Sequence, residues 1–255
     1  MSWSAGQYRK FEDERTRPVR DLIAAIPTIE ASRAVDLGCG PGNSTEVLRA
    51  RYPGASLTGI DSAEDMVRAA RERLPSVSFE RADVAAWRTP GPWDVILANA
   101  VLHWVPGPAE LLPRLVEALS SGGSLAVQMP DNLAEPSHVL MRQVAGDGPW
   151  DTKLAGAQGE RSQIEPAAWY YHLLRPRCSR VDVWRTTYHH PLAGIDAVVE
   201  WFKGSGLRPF LSPLNQEEQT EYLLRYRAAL ARAYPTQPDG SVLLPFPRLF
   251  FVATR

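Results

Sequence analysis

Arg33-Ala34-Val35-Asp36-Leu37-Gly38-Cys39-Gly40-Pro41-Gly42-Asn43-Ser44-Thr45-Glu46-Val47-Leu48 decides how the rest of the chain is read. A short apolar run enters three glycines on alternate positions and leaves as a helix. A tight turn free of side chains therefore falls at the carboxyl end of a sheet strand. In a doubly wound α/β fold, that is where a nucleotide-like ligand lies against the backbone.

Outward from this loop, strand and helix alternate. Strands are predicted over 34–37, 56–60, 77–80, 94–98 and 124–129, with helices over 43–52, 63–74 and 108–119 and one before them over 18–26. Such alternation means a mostly parallel sheet with helices on both faces. The link between the third and fourth strands is too short for a full helix, and Trp87 within it is read as packing on the sheet. Residues 130–177 carry breakers at Pro136, Gly146, Gly148, Pro149 and Pro166, which reads as an irregular, partly helical insertion. Val181-Asp182-Val183-Trp184-Arg185-Thr186-Thr187-Tyr188 alternates as a strand, a second polar helical insertion follows over 192–234, and Arg248-Leu249-Phe250-Phe251-Val252-Ala253 closes the chain as an apolar strand. No internal repeat or low-complexity segment is present.

Composition narrows the function classes. With 255 residues and 44% hydrophobic content, the chain can bury one substantial core and an appended subdomain. No apolar run reaches the ~20 residues of a membrane span. The 28 basic and 29 acidic residues leave a net charge of -1, without a Lys/Arg-rich tract, so nucleic acid is not an expected partner. The two cysteines, Cys39 and Cys178, and a start lacking a secretion-signal pattern point to a reducing cytoplasm. No His, Cys and acidic residues show zinc-like spacing, so no metal is expected. Nothing forces an assembly, and a monomer is the default.

The glycines alone do not choose a ligand. Gly38, Gly40 and Gly42 give G-x-G-x-G, one residue tighter than the nicotinamide fingerprint. Asp61, after the second strand, could accept both hydroxyls of a ribose or cap the following helix together with Ser62. Asp83, past the third strand, is either an exposed turn residue or an acceptor for an adenine amino group, with the Val84 amide beside it. Asn99-Ala100-Val101-Leu102-His103-Trp104 follows the fourth strand at the switch point, where a reacting group belongs.

Taken together, the segment from Asp36 to Gly42, Asp61, Asp83 and the segment from Asn99 to Trp104 resemble the class I S-adenosylmethionine-dependent methyltransferases over roughly the first 130 residues. The resemblance implies a Rossmann-like, doubly wound, mostly parallel seven-stranded sheet with an antiparallel last strand and helical cap insertions. It implies S-adenosylmethionine as cofactor, held by Asp36, Gly38, Cys39, Gly40 and Gly42, by Asp61, Ser62 and Met66, by Asp83 and Val84, and by Asn99 and Ala100. The expected organisation is a lid segment over 1–30, a cofactor-binding core over 31–130, caps over 131–178 and 190–240, and the last two core strands over 179–189 and 246–255.

Longer strings extend the resemblance along the chain. They are Tyr8-Arg9-Lys10-Phe11, Glu14-Arg15-Thr16-Arg17-Pro18, Gln128-Met129-Pro130-Asp131-Asn132, Glu135 to Arg142, Asp182 to Tyr188, Gly206 to Phe210 and Phe246 to Phe250. They look like those of carboxyl methyltransferases that esterify one carboxylate of trans-aconitate, a small tricarboxylate. In that arrangement Arg248 opens the last strand while Arg185 and Tyr188 close the one before, so all three are expected at the crevice above the cofactor, with Trp201 and Arg208 brought over it by the second insertion. Guanidinium suits a polycarboxylate better than ammonium does, and Lys10, Lys153 and Lys203 are the only lysines.

A carboxylate is already ionised at neutral pH, so positioning matters more than acid or base chemistry. The arginines are expected to hold the carboxylates that do not react, while Tyr188, His103 or Gln128, weaker donors, orient the one that does. Tyr8, Phe11 and Arg15 are read as part of a water-excluding lid, and Trp104 as a pocket wall. Plainer readings stand beside these. Arg15, Arg17 and Arg20 suit a solvated helix face, and Trp184 and Trp201 suit a core. A methyltransferase for another small acceptor, or a non-catalytic cofactor-binding module, also fits the same residues.

Overall fold

A computed structural model describes residues 11–88, 91–157 and 163–255. Seven strands form one sheet: β1 (Arg33–Leu37), β2 (Ser56–Asp61), β3 (Ser78–Arg81), β4 (Trp93–Asn99), β5 (Leu119–Pro130), β6 (Arg180–Leu192) and β7 (Val242–Thr254), in the order β3-β2-β1-β4-β5-β7-β6. β1 pairs in parallel with both β2 and β4, and β4 pairs in parallel with β5. The order reverses between β1 and β4, which opens the switch-point crevice at their carboxyl ends. β7 runs against β5. The Asp131 amide donates to the Pro247 carbonyl at 2.9 Å and the Arg255 amide to the Gly123 carbonyl at 3.0 Å, so numbers rise on one strand as they fall on the other.

The chain divides into two compact units. The first takes in the chain as far as Pro130, with Ile164–Thr186 and Leu249–Arg255; the second comprises Asp131–Gln163 and Thr187–Arg248. In the first unit, α1 (Glu12–Ala24), α2 (Asn43–Arg51), α3 (Glu64–Arg73), α4 (Pro108–Glu117) and a helix later in the chain, Ala167–Leu174, accompany the sheet. β1, β4 and the inner part of β5 are buried nearly throughout, as the apolar runs Val95-Ile96-Leu97-Ala98 and Leu125-Ala126-Val127 require of central parallel strands. Trp87 packs at a ring separation of 6.0 Å from Trp93, Tyr170 stacks on Phe251 at 5.2 Å, and Trp184 stacks on Phe250 at 5.0 Å.

The second unit is mainly helical, with Pro136–Gly146 as α5, Asp151–Leu154 as α6, Gly194–Lys203 as α8, Arg208–Leu211 as α9 and Gln216–Ala233 as α10; α7 is the helix Ala167–Leu174 of the first unit. Trp150, Tyr222 and Tyr226 fill its interior. Each aromatic polar tip finds a backbone partner, as buried polar atoms must: the Tyr222 hydroxyl donates to the Met141 carbonyl at 2.9 Å, the Tyr226 hydroxyl to the Ser137 carbonyl at 3.0 Å, and the Trp150 indole to the Val144 carbonyl at 3.2 Å.

Several boundaries differ from the sequence reading, β5 starting at Leu119 and β6 running on to Leu192. α1 starts at Glu12, not at Pro18, because Pro18 sits inside a helix whose first turn is acidic. β7 starts at Val242, so Arg248 lies within the strand and does not open it. Among the described residues no helix is long and apolar enough to cross a membrane.

α10 opens with a capping box in which the Asn215 side chain accepts from the Glu218 amide at 2.9 Å and Glu218 accepts from the Asn215 amide at 2.9 Å. Replacing Asn215 by Ala removes one arm of this box and is expected to cost about 1 kcal/mol, read as a lowered urea midpoint with an unchanged slope.

Candidate active site

The glycine loop is built for close approach. Gly38, Gly40 and Gly42 all have positive φ, at 68°, 54° and 90°. Gly38 is the most constrained, since a Cβ there would lie 2.4 Å from Val101 Cγ2 and 2.5 Å from Val101 Cβ. The loop after β1 and the loop after β4 thus pack backbone against side chain with no room for a further atom. The loop is also tied to β2, because the Cys39 amide donates to the Ile60 carbonyl at 2.9 Å. Cys39 is 1% exposed, and burial pushes its thiol far up from the ordinary range.

Asp61 joins three pieces of chain. Its Oδ2 accepts from the Gly40 amide at 3.0 Å and its Oδ1 from the Ala63 amide at 2.9 Å, just ahead of α3. Burial raises its pKa, and the two amides oppose that rise. Each carboxylate oxygen can accept again, so the cap and the acceptor roles are both available to one side chain. Ser62, beside it, has its carbonyl bonded by Arg81 Nε at 3.2 Å, and Met66 is buried on α3.

Asp36 is fully buried. Its Oδ2 accepts from Ser44 Oγ and Thr45 Oγ1, both at 2.7 Å, while Oδ1 has no hydrogen-bond partner. Burial pushes its pKa up to about 6 despite the two hydroxyls. Asn99, at the end of β4, likewise keeps a buried Oδ1 without a partner. Next to it, Ala100 is the only described non-glycine residue with positive φ, at 56°, and its amide donates to the Gln128 carbonyl at 2.8 Å. A strained residue at the switch point marks a site more than a packing accident.

Past β3, Asp83 is exposed, its Oδ1 accepts from the Ala85 amide at 2.9 Å in a turn, and Val84 is buried. Leu102–Trp104 forms a short 3₁₀ turn with the His103 and Trp104 rings 4.9 Å apart; Trp104 is 39% exposed. Gln128 is fully buried on β5. The first unit therefore gathers every expected cofactor residue onto the carboxyl ends of β1, β2, β3 and β4 or the loops and helices directly after them. The two orphaned acceptors, the side-chain-free turn and the Asp61 carboxylate fit a ligand with several donors and a flat, nucleoside-like body.

α1 is fixed to the same region. Asn43 Nδ2 donates to Thr16 Oγ1 at 3.3 Å, and Arg73 of α3 pairs with both Glu12 of α1 and Glu46 of α2. Arg15 is buried, whereas Arg17 and Arg20 are exposed. Tyr8 lies outside the described residues.

The residues expected to meet the acceptor divide. In the second unit Arg248 is 4% exposed with its guanidinium 4.5 Å over the Phe246 ring, and Tyr188 is buried, its ring parallel to His190 at 6.3 Å. Trp201 is buried against His190 at 4.7 Å and Phe246 at 5.7 Å, in an aromatic core, and Arg208 is half-buried at the start of α9. Arg185 is exposed on β6. Side chains alternate along a strand, so Arg185 and Tyr188, an odd number of residues apart, point to opposite faces. Sequence reading also missed Ser44 and Thr45 as holders of Asp36, although both stand in the quoted stretch, and it missed the strain at Ala100. Among the described residues no group of three or more His, Cys, Asp or Glu could hold a metal ion.

Such a sheet, with this loop and this acidic residue, defines a Rossmann-like methyltransferase. The family profile described as "Methyltransferase domain" matches residues 34–123. The fold recurs in the YcgJ protein from Bacillus subtilis, with a TM-score of 0.62 at 10% identity over 94% of this chain and 98% of that one. It also recurs in a Haemonchus contortus phosphoethanolamine N-methyltransferase 2 solved with S-adenosyl-L-methionine, with a TM-score of 0.55 at 15% identity over 94% of this chain and 52% of that one. Much nearer in sequence are the trans-aconitate 2-methyltransferases of Methylobacterium nodulans, 58% identical over 99% of this chain and 98% of that protein, and of Rhizobium meliloti, 53% identical over 100% and 99%. The chain belongs to the trans-aconitate 2-methyltransferase family.

Two measurements probe the loop. Gly38→Ala places a Cβ against Val101 and forces alanine to positive φ, and is expected to destabilise the protein by roughly 2–4 kcal/mol in urea unfolding. Asp36, raised from 3.8 to about 6, binds a proton in the folded state that the unfolded state has already released, so its contribution is complete below about pH 4 and is lost as pH rises through 6. Asp36→Asn should therefore gain stability on wild type between pH 5 and pH 7, by about 1 kcal/mol of the ~3 kcal/mol that the whole shift represents, measured as the difference in unfolding free energy at the two pH values.

Proposed function

We propose that this protein transfers a methyl group from S-adenosylmethionine to one carboxylate of trans-aconitate, forming a monomethyl ester and S-adenosylhomocysteine. The observation that carries the reading is identity of 52–58% over nearly the whole chain to proteins of that name, which reaches both units and not the glycine loop alone. The cofactor supplies an electrophilic sulfonium methyl group when bound.

In this reading Gly38, Gly40 and Gly42 let the backbone approach the cofactor, with Cys39 holding the turn to β2. The Asp61 carboxylate, fixed by two amides, accepts from the ribose hydroxyls. Asp83 and the Val84 amide address the adenine, and the acceptor oxygens of Asp36 and Asn99 receive donors. Ser62, Met66 and Ala100 complete the wall.

A carboxylate oxygen of the acceptor would be the nucleophile toward the methyl group that the bound cofactor would supply, with S-adenosylhomocysteine as the leaving group. No side chain need remove a proton, because a carboxylate with pKa about 4 is ionised at neutral pH. Anion and cation lose charge together, so a water-poor setting favours the transition state provided binding elsewhere offsets desolvation. A guanidinium on the attacking oxygens would weaken them as a nucleophile. Arg248, buried beside an aromatic ring, is assigned to a carboxylate that does not react, with Arg208 and Arg185 in lesser roles. Tyr188, His103 and Gln128, donors without permanent charge, orient the reacting carboxylate. Trp104, Arg15 and Trp201 are assigned lesser roles toward the acceptor. A cytoplasmic monomer needing no nucleic acid or membrane is the working state.

Mass spectrometry of the product from trans-aconitate and S-adenosylmethionine tests cofactor, reaction and acceptor together, and a panel of other acids, amines and phenols under the same conditions separates this acceptor from its rivals. Arg248→Ala is expected to raise KM for trans-aconitate roughly 10- to 100-fold, the loss of a charged hydrogen bond, while KM for the cofactor stays within about twofold. An ester on a different acid, with trans-aconitate untouched, overturns the assignment.

A further inference from the structure

Asn132 stands apart from every residue assigned above. It is 1% exposed, and neither Oδ1 nor Nδ2 has a hydrogen-bond partner. Burying an amide with both ends unsatisfied costs free energy that a folded protein rarely tolerates without a use for the group. Its backbone is engaged, the carbonyl accepting from the Glu135 amide at 3.1 Å, so the side chain alone is left over.

The register says what lies beside it. The Asp131 amide donates to the Pro247 carbonyl at 2.9 Å just past the end of β5, which brings the next residue, Asn132, to the stretch of β7 that carries Phe246 and Arg248. Arg248, two residues along β7 from Phe246, lies on the same face of the strand as Phe246 and sets its guanidinium 4.5 Å over the Phe246 ring. His190 and Trp201 pack on the same ring, at 5.9 and 5.7 Å, and Asn132, Phe246 and Arg248 are all buried.

We infer that Asn132 is a further substrate-binding residue, whose Nδ2 donates to a carboxylate of the acid received by Arg248. The inference rests on the proposed acceptor. Its chemistry is that of a neutral donor set beside a cation in surroundings of low polarity. The amide adds a directed hydrogen bond without adding charge, and a bond to an ionised group in an apolar setting is stronger than one in water. Neither end of the amide is committed, so turning Nδ2 toward an anion breaks no existing bond. The carbonyl end repels a carboxylate, which fixes the orientation.

The test is steady-state kinetics with trans-aconitate, paired with thermal unfolding, on wild type, Asn132→Ala, the near-isosteric Asn132→Leu and Asn132→Asp. A binding amide predicts KM for the acid raised roughly 10- to 100-fold in the Ala and Leu variants, kcat and the KM for S-adenosylmethionine within about twofold, and a larger KM effect in N132D, where like charges meet. Removing an unsatisfied amide should also leave Tm of N132L equal to or above that of wild type, whereas an amide serving the fold would lower it. KM for the acid unchanged in all three variants, or a lowered Tm with both KM values disturbed alike, overturns the inference. Wild type that esterifies trans-aconitate while the variants bind it normally defeats only the role of Asn132; wild type that forms no ester from trans-aconitate defeats the acceptor assignment and this inference with it.

Discussion

The Asp61 carboxylate is the tie on which the glycine-loop end of the fold depends. One oxygen holds the Gly40 amide and the other holds the Ala63 amide, so a single side chain sets the glycine turn, the end of β2 and the start of α3 relative to each other. The carboxylate is largely withdrawn from solvent, and the two amides replace the water it has lost. This arrangement leaves lone pairs on both oxygens in fixed directions. A ligand hydroxyl arriving there meets an acceptor that has already been ordered, and the entropy of ordering is spent in folding and not in binding.

Around this tie the first unit keeps features that a fold selected only for stability would shed. Asp36 is buried with one oxygen unmet, Asn99 is buried with its carbonyl unmet, and Ala100 holds a backbone angle that alanine seldom adopts. All three lie at the carboxyl ends of β1 and β4, the central strands of the sheet. Val35, Ile96, Leu97 and their neighbours are almost completely buried, so the sheet behind the crevice supplies the rigidity that keeps these strained and unsatisfied groups in place.

Most of this end of the molecule was legible in the sequence because its signals are local. Alternate glycines after an apolar run, an acidic residue after the second strand and the 3.6-residue pattern of α2, α3 and α4 each declare themselves within a few residues. What was missed depends on partners far away in the chain or on geometry without a letter. Pro245 and Pro247 hid the first half of β7, since proline argues against a strand. In the folded protein Pro247 contributes its carbonyl, to Asp131, where no amide is needed. The positive φ of Ala100 has no sequence signature. Trp201 suits a core from the sequence alone, but the partners it packs on, His190 and Phe246, lie elsewhere in the chain and have no local signal. Arg185 is different, because strand alternation alone separates it from Tyr188 and that inference was open from the start.

The depth of Cys39 has a chemical consequence. A sulfur in the middle of this glycine turn would be a weak point if it reached solvent as thiolate, since peroxide and alkylating electrophiles attack that form. Burial keeps the proton on sulfur here, and Cys178, 5% exposed with its pKa likewise raised, is shielded as well. The folded protein consequently offers oxidants no ready sulfur nucleophile, and its glycine turn tolerates a cysteine without inheriting that residue's reactivity.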